Sequence, residues 1–333
     1  MAWFPPEIDI DSENFRYLSF LHNTEEIKSL DIGLIMSGNT PLSLRIPRRS
    51  NMSIDYMNGS IDLSWQTGEM HFDNRTIEYA FSAYVKFEPE DTLDTMNSKC
   101  KNKLTEITAW ATHADDDKMF DSGAGIYQKV QMIGLEVDKV YSPAFWTLSI
   151  SLKFEVYPFL YSLYEYPEYI TPSTPINTGT PIKGRRFSFG SGHSYTDYGL
   201  FITSDTPLAP PPIKYRSLDL PFADGNANRG YFYGDTVIKY TCSFFLKNEG
   251  TRNSMNRKCQ SAVECICDWL YGVSDISEHE GIRMKGTATL FDSSLGEFYL
   301  ARCTGITVNK MLFDEFWILV YQIEFTTYPK IDI

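Results

Sequence analysis

The stretch VDKVYSPAFWTLSISLKFEVYP at residues 137–158 returns as VNKMLFDEFWILVYQIEFTTYP at residues 308–329, 171 positions later. Val137, Lys139, Phe145, Trp146, Leu148, Phe154, Tyr157 and Pro158 recur without a gap as Val308, Lys310, Phe316, Trp317, Leu319, Phe325, Tyr328 and Pro329. Eight identities in 22 positions compare with the order of one expected from background residue usage. A chain that writes one long segment twice is constrained to build one fold twice, and the register between its halves decides what that fold can be.

The register extends backward with steps where loops differ in length. DIGLIMSGNTPL at 31–42 answers DYGLFITSDTPL at 197–208, and the turn dipeptides Asn58-Gly59 and Asp224-Gly225 keep the same offset of 166. Both dipeptides tolerate the positive φ angles of a tight hairpin turn. IEYAFSAYV at 77–85 then answers IKYTCSFFL at 238–246. Tyr79, Phe81, Ala83 and Val85 alternate with Ala80, Ser82 and Tyr84, as do Tyr240, Cys242, Phe244 and Leu246 with their neighbours, so each segment is expected as a strand with one face on a core.

The period then changes. Cys100, Leu104, Ile107 and Trp110 recur at helical spacing, and Cys259, Ala262/Val263, Ile266 and Trp269/Leu270 repeat the pattern 159 residues on, which places one amphipathic helix in each half. Beyond the helix, Phe-Asp-Ser at 120–122 answers 291–293, and the wider offset locates an insertion around SDISEHEGIRMKGTA, expected as a polar surface loop. In the closing strands Trp146, Leu148, Ile150, Leu152, Phe154 and Val156 share one face. One helix cannot cover both sides of such a sheet, so each half is expected to curl into a mainly β barrel or sandwich. The expected organisation is a first split β-barrel domain at 1–160, a proline-rich linker at 161–185 and a second at 186–333, consistent with a chain of 333 residues carrying two cores.

Composition narrows the function. A formal net charge of −13 argues against wrapping nucleic acid, because phosphate binding needs clustered Lys and Arg. No apolar stretch approaches the ~20 residues of a membrane span, and the N-terminus has no basic start followed by an apolar run. Asn51, Asn58 and Asn74 head sequons and are read as loop residues. The six cysteines, at 100, 242, 259, 265, 267 and 303, are expected as free thiols. Cys265-x-Cys267 lacks the paired spacing of a zinc site, although with His279 it would be the first ligand set to suspect if zinc were found.

No catalytic, cofactor or metal residue is assigned. His22, His71, His113, His193 and His279 are scattered, HADDD at 113–117 reads as a solvated run after a helix, and FGSGHS at 189–194 lacks dinucleotide-binding spacing. Trp110/Trp269 and Trp146/Trp317 are read as core residues, with sugar-stacking platforms as the alternative.

SLDIGL at 29–34, with YTDYGL at 195–200 keeping its Asp-x-Gly-Leu, followed by a turn hairpin, an aromatic strand, a helix ending near Trp and a last hairpin closing on aromatic-Pro, resembles the distal tail proteins of long, flexible-tailed bacteriophages. The order appears twice here. DYMNGS and LPFADGN stand where that family often has Gly-Arg before the turn, and the second repeat stands where many members carry a galectin-like domain. The resemblance implies a non-enzymatic tail-tip or baseplate component. It would be a homo-oligomeric ring, three chains giving six barrels or six chains giving two layers, that continues the tail tube and lets DNA pass without specific binding. The implied partners are the tail tube protein, the tail hub and receptor-binding proteins. The implied location is the virion tail, assembled in the bacterial cytoplasm, without membrane insertion or cofactor. Alternatives are a tail tube or baseplate hub subunit of the same fold, or a carbohydrate-binding tail protein, for which exposed aromatics or paired carboxylates in a cleft would be the sign.

Overall fold

The computed structural model describes residues 15–22, 25–38, 41–42, 44, 46–48, 51–52, 61–62, 72–112, 118–142, 144–160, 187–190, 195–205, 213–219, 226–271, 276–279, 282–285, 288–292 and 297–327. The dipeptides Asn58-Gly59 and Asp224-Gly225, the linker at 161–185, the run at 113–117, and His71 and His193 lie outside them. Two compact units divide the chain: Met1–Ser43, Asp73–Glu168 and Glu249–Ser261 form the first, and Leu44–Phe72, Tyr169–Asn248 and Ala262–Ile333 the second.

The first unit holds a seven-stranded antiparallel sheet built from β1 (Leu18–His22), β2 (Glu25–Lys28), β3 (Leu34–Ser37), β4 (Arg75–Lys86), β5 (Lys118–Asp121), β6 (Ile126–Tyr141) and β7 (Phe145–Leu160), with α1 (Leu93–Thr112) between β4 and β5. Its order is β2-β1-β5-β6-β7-β4-β3. The second unit holds a six-stranded sheet of β8 (Phe187–Phe189), β9 (Phe201–Asp205), β10 (Thr236–Lys247), β11 (Ala288–Asp292), β12 (Glu297–Leu312) and β13 (Phe316–Thr327); α2 (Arg252–Tyr271), between β10 and β11 in the chain, belongs to the first unit up to Ser261 and to the second from Ala262. Its order, β8-β11-β12-β13-β10-β9, is that of the first sheet without β2.

Register carries the correspondence to single residues. Trp146 pairs with Tyr141 and Val85, and Trp317 with Leu312 and Leu246. A bulge breaks β6 between Met132 and Gly134, and its counterpart breaks β12 between Cys303 and Gly305, 171 residues on. The alternating apolar faces pack as expected: Tyr79, Phe81, Ala83 and Val85 from β4, the even-numbered residues Trp146 to Val156 from β7, and Met96, Cys100, Ile107 and Trp110 from α1 enter one core. In that core Phe154 meets Tyr79 at 6.1 Å and Phe20 at 5.9 Å, and in the second Phe325 meets Tyr240 at 6.0 Å and Phe189 at 5.0 Å.

Local chemistry explains the boundaries. The Thr92 and Thr251 hydroxyls accept hydrogen bonds from the backbone of Thr95 (3.3 Å) and Ser254 (3.2 Å), capping α1 and α2 at equivalent first turns. Asp-x-Gly-Leu makes a tight turn in both halves because its glycine is left-handed, with φ of 72° at Gly33 and 67° at Gly199.

Two expectations need correction. The insertion at 274–288 is not all loop: Ile276–His279 and Ile282–Lys285 pair antiparallel, with His279 opposite Ile282. The sequence puts Glu280-Gly281 between that pair, and a glycine-containing two-residue connection favours a hairpin. Asn51 lies in a short strand paired with Asp62, not in a loop.

Candidate functional site

A polar cluster in the first unit surrounds Asp121 at the end of β5. Its carboxylate is buried and accepts from Arg16 Nε at 2.8 Å, Arg16 Nη2, the Tyr79 hydroxyl at 3.0 Å and the backbone N–H groups of Gly123 (2.9 Å) and Ala124 (3.2 Å). The Arg16 guanidinium also sits 5.2 Å from the centre of the Tyr79 ring. Ser122 and Tyr17 exchange hydrogen bonds next to it, Tyr17 N donating to Ser122 Oγ at 2.8 Å and Ser122 N to Tyr17 O at 3.1 Å. Burial, and then the Asp121 charge, push the Tyr79 phenol well above its usual pKa, so it stays a neutral donor.

Chemically this is a clamp. Five donors occupy a carboxylate whose oxygens offer about four lone-pair sites, which leaves no position for a metal or a substrate proton. It fastens the segment leading into β1 to Tyr79 on β4 and to the end of β5. The second unit keeps its centre, with the Tyr240 hydroxyl donating to buried Asp292 at 2.6 Å. Arg16 and Asp121 were not singled out from the sequence, although a signal was present: Arg16-Tyr17-Leu18-Ser19-Phe20 and Phe-Asp-Ser recur as Arg185-Arg186-Phe187-Ser188-Phe189 and Phe-Asp-Ser.

Among the described residues no cluster of three or more His, Cys, Asp or Glu is placed to hold a metal ion, and all six cysteines are free. Burial pushes the Cys242 thiol up to about 12, and burial plus the neighbouring Asp268 raise half-buried Cys265, so both resist ionisation. His22 donates through Nε2 to the Trp110 carbonyl at 2.9 Å, a structural role. Trp110, Trp146, Trp269 and Trp317 are all buried, which removes them as sugar platforms. The indoles of Trp110 and Trp269 donate instead to the carbonyls of Ile27 (3.0 Å) and Phe189 (3.1 Å).

Among the described residues, strand edges and apolar hairpin tips stay exposed. β6 pairs with β5 only from Ile126 to Lys129, while its pairing with β7 runs on to Tyr141. β12 likewise pairs with β11 only from Glu297 to Ala301 and with β13 to Leu312. Among the described residues, both long strands therefore present a one-sided edge of more than ten residues. Large apolar side chains stand at the tips of the same hairpins: Val140 and Tyr141 (63% exposed) in the first, Met311, Leu312 and Phe313 (45% exposed) in the second. Behind Phe313, an aromatic row crosses the second sheet from Phe316 (5.3 Å) to Phe245 (6.2 Å) to Phe201 (5.8 Å). Paired charges cross neighbouring strands, Lys153 with Glu136 in one sheet and Lys239 with Glu324 at 2.7 Å in the other. No described helix is long and apolar enough to cross a membrane.

No family model matches the chain, and no curated protein does. Among solved structures the chain is similar to the Dit protein of phage SPP1, described as a paradigm of the hub adsorption apparatus in phages that infect Gram-positive bacteria. The identity is 12% and the TM-score 0.29, over 44% of this chain and half the length of that one. It is also similar to chains of the phage P2 baseplate in its activated conformation, with Ca (12% identity, TM-score 0.28) and with Sr (11% identity, TM-score 0.29), each over 96% of this chain and 99% of that chain.

Proposed function

We propose that this chain is a non-enzymatic structural subunit of a phage tail tip, two tail-tube-like domains at 1–160 and 186–333 joined by the segment 161–185. In this reading it forms a homo-oligomeric ring that continues the tail tube and connects it to the hub and receptor-binding proteins. The observation that carries the reading is that, among the described residues, β6 beyond Lys129 and β12 beyond Ala301 pair along one side only. A long uncovered edge is a template for another strand and is ordinarily blunted or covered. Here it is written twice, with apolar hairpin tips beside it, which fits a molecule finished by its neighbours. The acidic balance supports the same reading, since a negative lumen repels passing DNA.

Native mass measurement with negative-stain imaging tests it. Three or six times 38.2 kDa with a central pore is the expected result. A chain that stays monomeric at high concentration and shows no ring alone or on tail-tube protein overturns it, and specific retention on a glycan array would favour the carbohydrate-binding alternative.

A further inference from the structure

The two sheets agree on their core faces and diverge on their outer ones. In β13, Trp317, Leu319 and Tyr321 are buried, while Phe316, Ile318 and Val320 stand half-buried on the opposite face. Ile318 is flanked by Phe245 on one side and Met311 on the other, and Val320 lies opposite Ser243, which lies opposite Phe201. With Phe313 these side chains make one apolar stretch from β9 to the hairpin tip, where Met311 and Phe313 are exposed. The first repeat does not share it. Ser142, Thr147 and Ser149 stand 171 residues before Phe313, Ile318 and Val320, and Tyr84 holds the place of Phe245. The core does not require the change, since the alternate residues Leu148 and Leu319 are buried alike.

The charge of the tip changes in the same place. Asp314 and Glu315, both exposed, stand where the first repeat has Pro143 and Ala144. Lys247 and Lys310 recur as Lys86 and Lys139, so the two acids are what the second tip adds. The tip is also held in shape. Phe313 N donates to Phe316 O at 3.0 Å, Asn248 N to Glu315 O at 2.9 Å and Asn248 Nδ2 to Asp314 O at 2.8 Å. The first tip makes the two backbone bonds, Ser142 to Phe145 and Phe87 to Ala144, but has Phe87 in place of Asn248. A surface fixed in advance loses little further freedom when it is covered.

We infer that the outer face of the second sheet, from Phe201 across Phe245 and Ile318 to Phe313, binds a segment of a different protein, one with an apolar side and basic residues that meet Asp314 and Glu315. The charge selects this occupant. A second copy, with a net charge of −13, is a poor match for an acidic rim. Symmetry points the same way, because contacts repeated around a ring come from features that both repeats carry, such as the one-sided edges of β6 and β12, and this face is present in one repeat only. The choice of a different protein as occupant rests on the ring reading; the apolar and acidic character of the face does not.

The test uses the full chain and a fluorescein-labelled helical peptide of ~18 residues with Leu on one side and Lys on the other, followed by anisotropy. This peptide should bind, and one with Glu in place of Lys should bind at least roughly tenfold more weakly. Giving the face its first-repeat residues, Phe313→Ser with Ile318→Thr and Val320→Ser, should weaken the Leu/Lys peptide roughly tenfold or more. Asp314→Asn with Glu315→Gln should weaken it less and flatten its dependence on salt. Both variants should keep the native mass of the unsubstituted chain. Equal binding by the triple variant, or equal binding of the two peptides, overturns the inference and leaves the ring reading in place. A folded triple variant that no longer assembles makes a second copy the occupant and also overturns it. A monomeric chain that binds the Leu/Lys peptide with these losses overturns the ring reading and keeps the docking face. Should the triple variant misfold, the amide variant and the peptide comparison decide.

Discussion

Replacing Asp121 with Ala tests whether the clamp holds the first repeat together. The substitution strands five donors at once, and they differ in what they can do next. The Tyr79 hydroxyl is fully buried, and leaving such a donor without an acceptor costs about 1–3 kcal/mol. Removing one partner of a buried ion pair costs about 3–5 kcal/mol, but the Arg16 side chain keeps 10% of its exposure, so part of its charge can re-solvate. The backbone N–H groups of Gly123 and Ala124 lose their acceptor as well. A total of about 3–5 kcal/mol follows, with Tyr79→Phe alone costing about 1 kcal/mol. Because both changes remove the same hydrogen bond, the double variant should cost about 1 kcal/mol less than the two singles together. The assay is urea unfolding followed by far-UV circular dichroism, with the loss confined to one transition if the repeats unfold separately. A loss under 1 kcal/mol for Asp121→Ala, or strict additivity with Tyr79→Phe, refutes the clamp as described.

Other outcomes follow from the same geometry. Gly123→Ala would place a Cβ 2.3 Å from Arg16 Nε, so it should expel the guanidinium and cost about as much as loss of the ion pair, about 3 kcal/mol in the same urea assay. Trp146→Ala and Trp317→Ala, from side chains 6% and 5% exposed, should each cost about 3–5 kcal/mol, and stability retained in both would contradict the core. The raised pKa of Tyr79 means that its neutral form contributes stability that is complete below the unfolded value near 10 and is lost as pH rises past it. Urea midpoints taken from pH 8 to pH 11 should therefore fall more steeply for the natural chain than for Tyr79→Phe. Prolonged dialysis against a chelator should leave the melting temperature unchanged, and a fall would point first to Cys265, Cys267 and His279.

Much of the fold is legible because it is written in period and repetition. Tyr79, Phe81, Ala83 and Val85 can be assigned to one face from alternation alone, and the succession of strands, helix and closing strand pair follows once the halves are aligned, because each copy supplies an independent reading of the same pattern. The Asp121 clamp is less legible for a physical reason. Its parts come from positions 16, 79 and 121, and no local period links a residue before β1 to one after α1; only recurrence of the flanking words in the second half marks them. The bulges at Gly134 and Gly305 were hidden similarly, since a bulge adds one residue to a strand without changing its composition.

Exposure of the polar helix faces was least legible of all, and the difference between α1 and α2 shows why. Their polar rows, Asn97-Lys101-Asn102 and Asn256-Gln260-Ser261, have nearly the same chemistry, so hydropathy assigns both to solvent. One is buried and the other exposed because burial of polar groups is decided by whether partners with matching donors and acceptors surround them, which hydropathy does not record. Duplication turns that difference into information. The two repeats carry the same helix, one with this polar row exposed and one with it buried, so surroundings and not composition set that burial.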